Sequence, residues 1–514
     1  MSKPSPGFRI NRPPSTSTSI HILDDDSLIN IFRLYRPVLL DEDEANDFRI
    51  LERGEWGRER WWYELAHVCR RWRILILTST SHLDLCLFCT YNTPVEDILA
   101  HSPPLPLIVD YADGSRMLTM DDIQGIRLAL QHHDRVRCIR LSADGKHLMH
   151  IVAPFMDEEF PMLEYLFIKP PDSHNQTVFA RIRLPDTFRA PRLRHLVLIH
   201  VTVPAASPLL TTTAGIVTLS LNFDFGIGGY CHPNDLLNRL APLLQLETLE
   251  IALPSYLSIH EWQQLHAPHV THVTLPNLRW FGYKGQSNHL ETLLPWMTTP
   301  LLENLQITFF DQLAYSLPCL LRYMSKADKL SFCGAKFAFN DKGVAVSIYP
   351  HEGARMSTFS LNLHRSWPGW QIFSVAEIFN NLSPLFSAVV ELTIDFSGDI
   401  GLLESNEGAF RIQWRNLLRS FSGVRTLRVH RGVVQQLSRS LQPDGGQLLE
   451  ILPELQVLVC HAEDNNGDAF TAFIDARNDT GHPVRLHVVV PDSPPASTST
   501  SLRVRPSRLV RLWS

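Results

Sequence analysis

Apolar residues change their spacing near residue 80. Up to that point Leu28, Ile31, Phe32 and Tyr35, and later Trp62, Leu65, Val68, Cys69, Trp72, Leu75 and Ile76, recur at three- and four-residue intervals. That spacing puts side chains on one face of a helix. Asp24, Asp25 and Asp26 precede the first stretch, where a helix N-terminus favours acidic and capping residues. Pro37 predicts its end. The charged run that opens with Asp41, Glu42, Asp43 and Glu44 and continues to residue 60 predicts a solvated loop between the two helical stretches.

Beyond that point a six-residue unit takes over, apolar-x-x-apolar-x-apolar, as in Leu163 to Ile168, Leu193 to Leu198 and Leu246 to Ile251. Its central apolar residues are Ile139, Leu166, Leu196, Leu219, Leu249, Val273, Leu305, Leu330, Phe359, Leu392, Leu427, Leu458 and Leu486. Successive gaps run from 23 residues (Leu196 to Leu219) to 35 (Leu392 to Leu427). A period of this size predicts strand-plus-helix units that stack, because no unit can bury its apolar side alone. Helix-compatible stretches such as Pro233 to Leu240 lie between the strands. Pro161, Pro191, Pro268, Pro300 and Pro453 precede the strand units, where a turn must stop one segment and start an extended one. Thirteen strands side by side trace an arc of roughly 60 Å.

The residue after each central position must point away from the apolar side. That row reads Arg140, Phe167, Val197, Ser220, Glu250, Thr274, Gln306, Ser331, Ser360, Thr393, Arg428, Val459 and His487, mostly polar, which predicts a half-exposed sheet. The pattern therefore gives an α/β chain: a helical module over 20–87, then an irregular solenoid with a curved parallel sheet over 88–490. The alternative is a non-repeating α/β protein with many strands.

Composition narrows the function classes. A chain of 514 residues exceeds one ordinary core, as a repeat array would. Its net charge of −6 leaves no electrostatic footprint for nucleic acid. No apolar run approaches the roughly 20 residues that span a bilayer, so no membrane partner is expected. Residues 1–19 are rich in Pro, Ser and Thr without an apolar core, which predicts a disordered lead and no signal peptide. The eight scattered Cys then read as reduced thiols in the cytoplasm or nucleus. Residues 491–514 predict a disordered basic tail carrying Arg503, Arg505, Arg508 and Arg511, a weak nuclear-targeting pattern.

Candidate chemistry is thin. Cys86 and Cys89 have a metal or redox spacing, but no second pair accompanies them, and alternation along a strand accounts for both. In His260-Glu261 with His266 the second histidine lies six residues on rather than four, so the two rings do not share a helix face. Pro268 breaks any helix that would gather His266, His269 and His272. Gly226, Gly228 and Gly229 lack a third phosphate-loop glycine and read as a turn. No nucleophile elbow and no phosphate-binding Lys motif occurs. The expectation is a non-catalytic protein with no cofactor and no metal.

Residues 20–87 resemble an F-box. Leu23, Asp26, Leu28, Ile31 and Phe32, followed by Val68, Cys69, Trp72 and Leu75, fall in the places of that family's Leu-Pro, acidic, Ile-Phe and Val-Cys-x-x-Trp positions. Asp24 stands where the family has Pro, and residues 41–60 separate the halves, as in F-box proteins of mushroom-forming fungi, which the chain resembles onward through Pro103 to Leu107. The match covers about an eighth of the chain; the remainder resembles degenerate leucine-rich repeats.

The resemblance implies a substrate-receptor subunit of a Skp–cullin–F-box ubiquitin ligase. Leu23, Leu28, Ile31, Phe32, Leu65, Val68, Cys69 and Trp72 would dock a Skp-type adaptor, and through it cullin and RING subunits. Such docking requires an exposed apolar face on a small helical unit. The repeats would hold an unknown target protein through outward and loop side chains, here Tyr165, His195, Glu250, His272, Glu391, Arg428 and His430. The alternative is a non-ligase interaction scaffold whose F-box has diverged.

Overall fold

The computed structural model describes residues 22–35, 61–169 apart from 114–115, 144 and 156–157, 182–202 apart from 185–186, 207–222 apart from 212, 233–253, 272–396 apart from 311, 313, 352–353, 355 and 365–367, 407–442, 451–461 and 467–489. Pro37, the 41–60 run, the lead 1–19, the tail 491–514, Gly226 to Gly229, and His260, Glu261, His266 and His269 lie outside them. The chain is α/β and divides into two compact units, Met1–Trp280 and Phe281–Ser514.

The first unit opens with three helices, α1 (Asp25–Tyr35), α2 (Trp61–Ala66) and α3 (Arg70–Thr78). Asp24 caps α1: its Oδ1 accepts the Ser27 N–H at 2.6 Å and its carbonyl accepts the Leu28 N–H. That bond holds the Asp24 carboxyl below its usual range. Asp24 thus caps the helix through its side chain. The second helical stretch is not continuous. Cys69 has extended dihedrals (φ −158°, ψ 168°) and its sulfur accepts the Trp72 N–H at 3.5 Å, so it is the N-cap of α3 rather than a member of an apolar face.

Seven strands follow: β1 (Leu87–Thr90), β2 (Leu107–Tyr111), β3 (Val136–Ser142), β4 (Tyr165–Lys169), β5 (His195–Ile199), β6 (Thr218–Asn222) and β7 (Thr248–Ala252). They lie side by side in chain order, every pair parallel. The register runs Cys89, Val109, Ile139, Leu166, Leu196, Leu219, Leu249, each opposite the next. The predicted central residues from Ile139 to Leu249 therefore form one buried row, and β1 and β2 extend it toward the N-terminus. Each buried Leu contributes roughly 1.5–3 kcal/mol. Helices α4 (Val95–His101), α5 (Met120–Leu130), α6 (Gly145–Val152) and α7 (Pro233–Leu240) lie between strands in sequence. Thr119 starts α5 with a reciprocal cap, its hydroxyl taking the Asp122 N–H at 3.1 Å while the Asp122 carboxylate takes the Thr119 N–H at 2.9 Å.

Entry to several strands repeats a backbone device. Leu163, Leu193, Leu246 and Leu278 each donate N–H to the carbonyl three residues back, closing a turn. Pro161 and Pro191 occupy the second turn position, and Pro300 and Pro453 do the same for Leu302 and Leu455. Proline's fixed φ suits that position, so these prolines make the turn rather than merely end a helix. The carbonyls of Glu164, Arg194, Val217 and Glu247 then each accept two N–H groups from the following unit.

The second unit carries β8 (Trp280–Gly285), β9 (Asn304–Phe309), β10 (Gly334–Asn340), β11 (Gly343–Tyr349), β12 (Phe359–His364), β13 (Glu391–Phe396), β14 (Thr426–Val429), β15 (Val457–His461) and β16 (Arg485–Val489). Spatial order is β8-β9-β12-β11-β10-β13-β14-β15-β16. Leu392, Leu427, Leu458 and Leu486 share one register, and Leu305 faces Phe359, as the spacing predicts.

Two predicted copies are displaced. Val273 lies in a two-residue strand outside the main order, and β8 takes its place with Leu278, Phe281 and Tyr283 buried. Leu330 is in no strand; Ala335 of β10 faces Leu392 instead. The cause is an inserted meander in which β11 runs antiparallel to both β10 and β12. An Asn340 side chain accepting the Lys342 N–H at 2.8 Å turns its first hairpin. Phe337 packs on Phe379 and Phe421 at 5.1 and 5.6 Å between centroids, fixing the meander to helix α8 (Pro368–Phe386) and to the segment just after α9 (Glu407–Arg419).

Candidate functional site

The helical unit is held from inside by residues that its sequence pattern offered for docking. Leu28 and Phe32 are fully buried and Leu65 nearly so, whereas Leu23, Ile31, Cys69 and Trp72 are half-buried. The Phe32 and Trp72 rings meet edge to face at 4.8 Å, a contact of about 0.5–1.5 kcal/mol beyond burial. Arg71 fastens α3 to the start of α1, donating to Asp25 Oδ1 at 2.6 Å and to the Leu23 carbonyl at 2.7 Å. Trp62 donates its indole N–H to the Cys86 carbonyl at 3.3 Å, just before β1.

Of the eight expected docking residues, only Val68 is exposed, at 59%. Leu28, Phe32 and Leu65 act through the shape of the unit, since helices this short need an interior. The open apolar surface belongs instead to Ile22, Leu34, Tyr35, Val68, Ile74 and Leu77, with Leu34 at 85% exposure. Helical spacing picked out Tyr35 and Val68 but not Ile22, Leu34, Ile74 or Leu77, because it marks one face as apolar and gives no sign of which apolar residues neighbouring helices leave uncovered. Ile74 and Leu77, three apart on α3, are the pair that spacing could have singled out.

The expected half-exposed row of the sheet is buried over β3 to β6 of the first unit, and only Glu250 and Thr274 of its row there are half-buried or exposed. Arg140 (2% exposed), Phe167, Val197 and Ser220 are all closed off. Arg140 donates from Nη1 to Asp110 Oδ2 at 2.7 Å and its guanidinium lies 5.6 Å from the Phe167 ring centroid. Burial pushes the Asp110 carboxyl above its usual range, although Arg140 opposes the shift. Ser220 donates to Glu250 Oε2 at 2.7 Å, so that Glu250 is engaged within the sheet. Both pairs lie one unit apart in sequence, which is why polar residues occupy a buried row.

Tyr165 and His195 face each other at 5.8 Å and are half-buried. Burial pushes the His195 imidazole down to about 4, with Arg194 adding to the shift and Glu164 opposing it. The folded state therefore favours neutral His195, and its stabilising contribution is complete above the ordinary value of 6.5. It is lost as pH falls from there toward about 4, at up to about 1.4 kcal/mol per pH unit. Burial pushes His289 down to about 4 as well. Urea midpoints at pH 7.5 and 5 should fall steeply for the natural chain and less steeply for His195→Gln.

In the second unit the corresponding row is open. Gln306, Ser360, Ser347, Lys336, Thr393, Arg428, Val459 and His487 follow one another in register across eight strands. All but Val459 are half-buried or exposed. Glu391 and Arg428 form an ion pair, Arg428 Nε donating to the Glu391 carboxylate. His430 is half-buried at the end of this strand, and His272, in the first unit, is exposed. Of the seven expected target-binding residues, Tyr165, His195 and Glu250 are half-buried and His272 exposed in the first unit, while Glu391, Arg428 and His430 lie together in the second.

Cys86 packs with Ile108 and Cys138 on one face, whereas Cys89 sits in the core row of the other, where burial pushes its thiol up to about 12. Among the described residues no group of three or more His, Cys, Asp or Glu could hold a metal ion, and no helix is long and apolar enough to cross a membrane. No family model matches the chain, and no curated protein matches it.

Proposed function

We propose that the chain is a substrate-receptor subunit of a Skp–cullin–F-box type ubiquitin ligase. Its helical unit docks a Skp-type adaptor, and its strand units, read as leucine-rich repeats, hold a target protein. The observation that carries this reading is the exposed apolar surface of Ile22, Leu34, Tyr35, Val68, Ile74 and Leu77 on a unit whose own interior is already filled. A soluble helical unit that exposes this many large apolar side chains gains by covering them with a partner. The receptor has no chemistry of its own in this reading and acts by holding its target beside the ubiquitin donor.

Burial of Leu28, Phe32 and Leu65, with the Trp62 bond to the Cys86 carbonyl, favours a second reading, in which the helices serve as a cap on the sheet of a non-ligase scaffold. Capture of a purified Skp-type adaptor by the full chain separates the two. Val68→Asp with Ile74→Asp alters exposed positions only, so circular dichroism and melting temperature should stay unchanged. Adaptor capture should fall about 100-fold or more, as expected where two apolar contacts of roughly 1.5 kcal/mol each are lost. Undiminished capture by the double variant, or none by the natural chain, rejects the docking assignment.

A further inference from the structure

The outward face of the second unit differs from that of the first in being open, and it differs from the whole chain in charge. The chain carries −6 overall. Among the described outward strand residues of this unit, Lys284, Lys336, Arg428 and Arg485 stand against Glu391 and Asp395 only. Glu391 is already bonded by Arg428. Lys336 projects from β10, its strand neighbours in the row being Ser347 and Thr393, too short to reach over it. Arg485 is exposed on β16, the last strand of the order. Four strand spacings separate β10 from β16, about 19 Å at the usual interval. Six residues of extended chain cover about 20 Å.

We propose that this face docks an extended acidic segment of the client polypeptide, whose Asp or Glu side chains engage Lys336 at one end and Arg485 at the other. The inference rests on the reading of the chain as a client-holding receptor and assigns the holding to the second unit. In the first unit Arg140, Phe167, Val197 and Ser220 close the equivalent row over β3 to β6, although Tyr165, His195 and Glu250 beside it are half-buried. Between the two cations the segment crosses Thr393, the Arg428–Glu391 pair and Val459, while Asp395 stands two residues along β13 from Thr393, on the side away from the register row of Arg485.

The test uses the full chain and a fluorescein-labelled twelve-residue peptide alternating Asp with Thr and Val, beside the same peptide with Lys in place of Asp. Fluorescence anisotropy at low salt should show binding of the acidic peptide only. Lys336→Glu and Arg485→Glu should each weaken it about tenfold and together more than either, since each reversal replaces attraction by repulsion. Lys326→Glu, an exposed reversal at the end of the helix Pro318–Ser325, should leave binding unchanged. Absence of acidic-peptide binding overturns the proposal, and so does a loss with Lys326→Glu equal to that with Lys336→Glu, which would mark diffuse attraction. Adaptor capture by the same variants keeps the two readings apart. Retained capture without peptide binding rejects the acidic client alone, whereas peptide binding by a chain that never captures adaptor rejects the receptor reading.

Discussion

Asp110→Ala lowers the unfolding free energy of the first unit by about 3–5 kcal/mol, because it strips the carboxylate from a guanidinium that cannot reach water. Arg140 is 2% exposed and meets Asp110 at 2.7 Å on the neighbouring strand. The Phe167 ring stays beside the cation after the substitution and offsets part of the lost attraction. Asp110→Asn keeps an acceptor oxygen and should lose less. Pairing Asp110→Ala with Arg140→Met should recover most of the loss, since an apolar pair of similar volume carries no desolvation penalty. Hydrogen exchange of the full chain reads the effect locally, as lost protection over 107–142. If the double variant is no better than Asp110→Ala alone, packing rather than charge is what the site provides.

Gly423→Ala is the second large effect, and it is steric. A Cβ at this position stands 2.0 Å from the Ser387 carbonyl oxygen and 3.3 Å from that of Val389. Both are backbone atoms of the turn that leads into β13, so neither can rotate aside. Glycine is required because one strand-entry turn lies directly on the turn of the preceding unit. The expected loss is about 3 kcal/mol or more, at the upper end for overpacking. Gly408→Ala is the matched control: nothing lies within 4 Å of the added carbon, and the change removes a flexible residue from a helix at a gain of roughly 0.5–1 kcal/mol. A melting temperature for Gly423→Ala equal to that of the natural chain would mean that the two turns can separate freely.

Much of the architecture is legible in spacing alone. Central residues picked from a six-residue pattern, such as Leu166, Leu196 and Leu219, turn out to face one another strand by strand. Stacking makes this so: a side chain that must share a core with the next unit has to recur at the same place in it. Spacing misleads where a second pattern overlaps the first. Ala335, Phe337 and Phe339, then Val344, Val346 and Ile348, alternate at period two around Asn340 to Gly343, a hairpin signal that a search for longer repeats passes over. It also misleads where polar residues satisfy each other. Arg140 and Ser220 look like solvent-facing positions until their partners, one unit away, are placed beside them. At the helical unit the apolar helix positions were readable from the sequence, but which of them are buried and which exposed was not. Exposure depends on how three short helices meet, and Cys69, which ends one helical stretch and caps the next, is what sets that meeting.

The meander in the second unit obeys a parity rule. It adds up, down and up segments between neighbours that both point up, so the polypeptide leaves it with the heading it had on arrival. An even number of extra segments would have sent it back the other way, and every later turn would have had to be rebuilt. Odd-numbered excursions are therefore the ones such an array can acquire midway while everything downstream, including Leu427, Leu458 and Leu486, keeps its alignment.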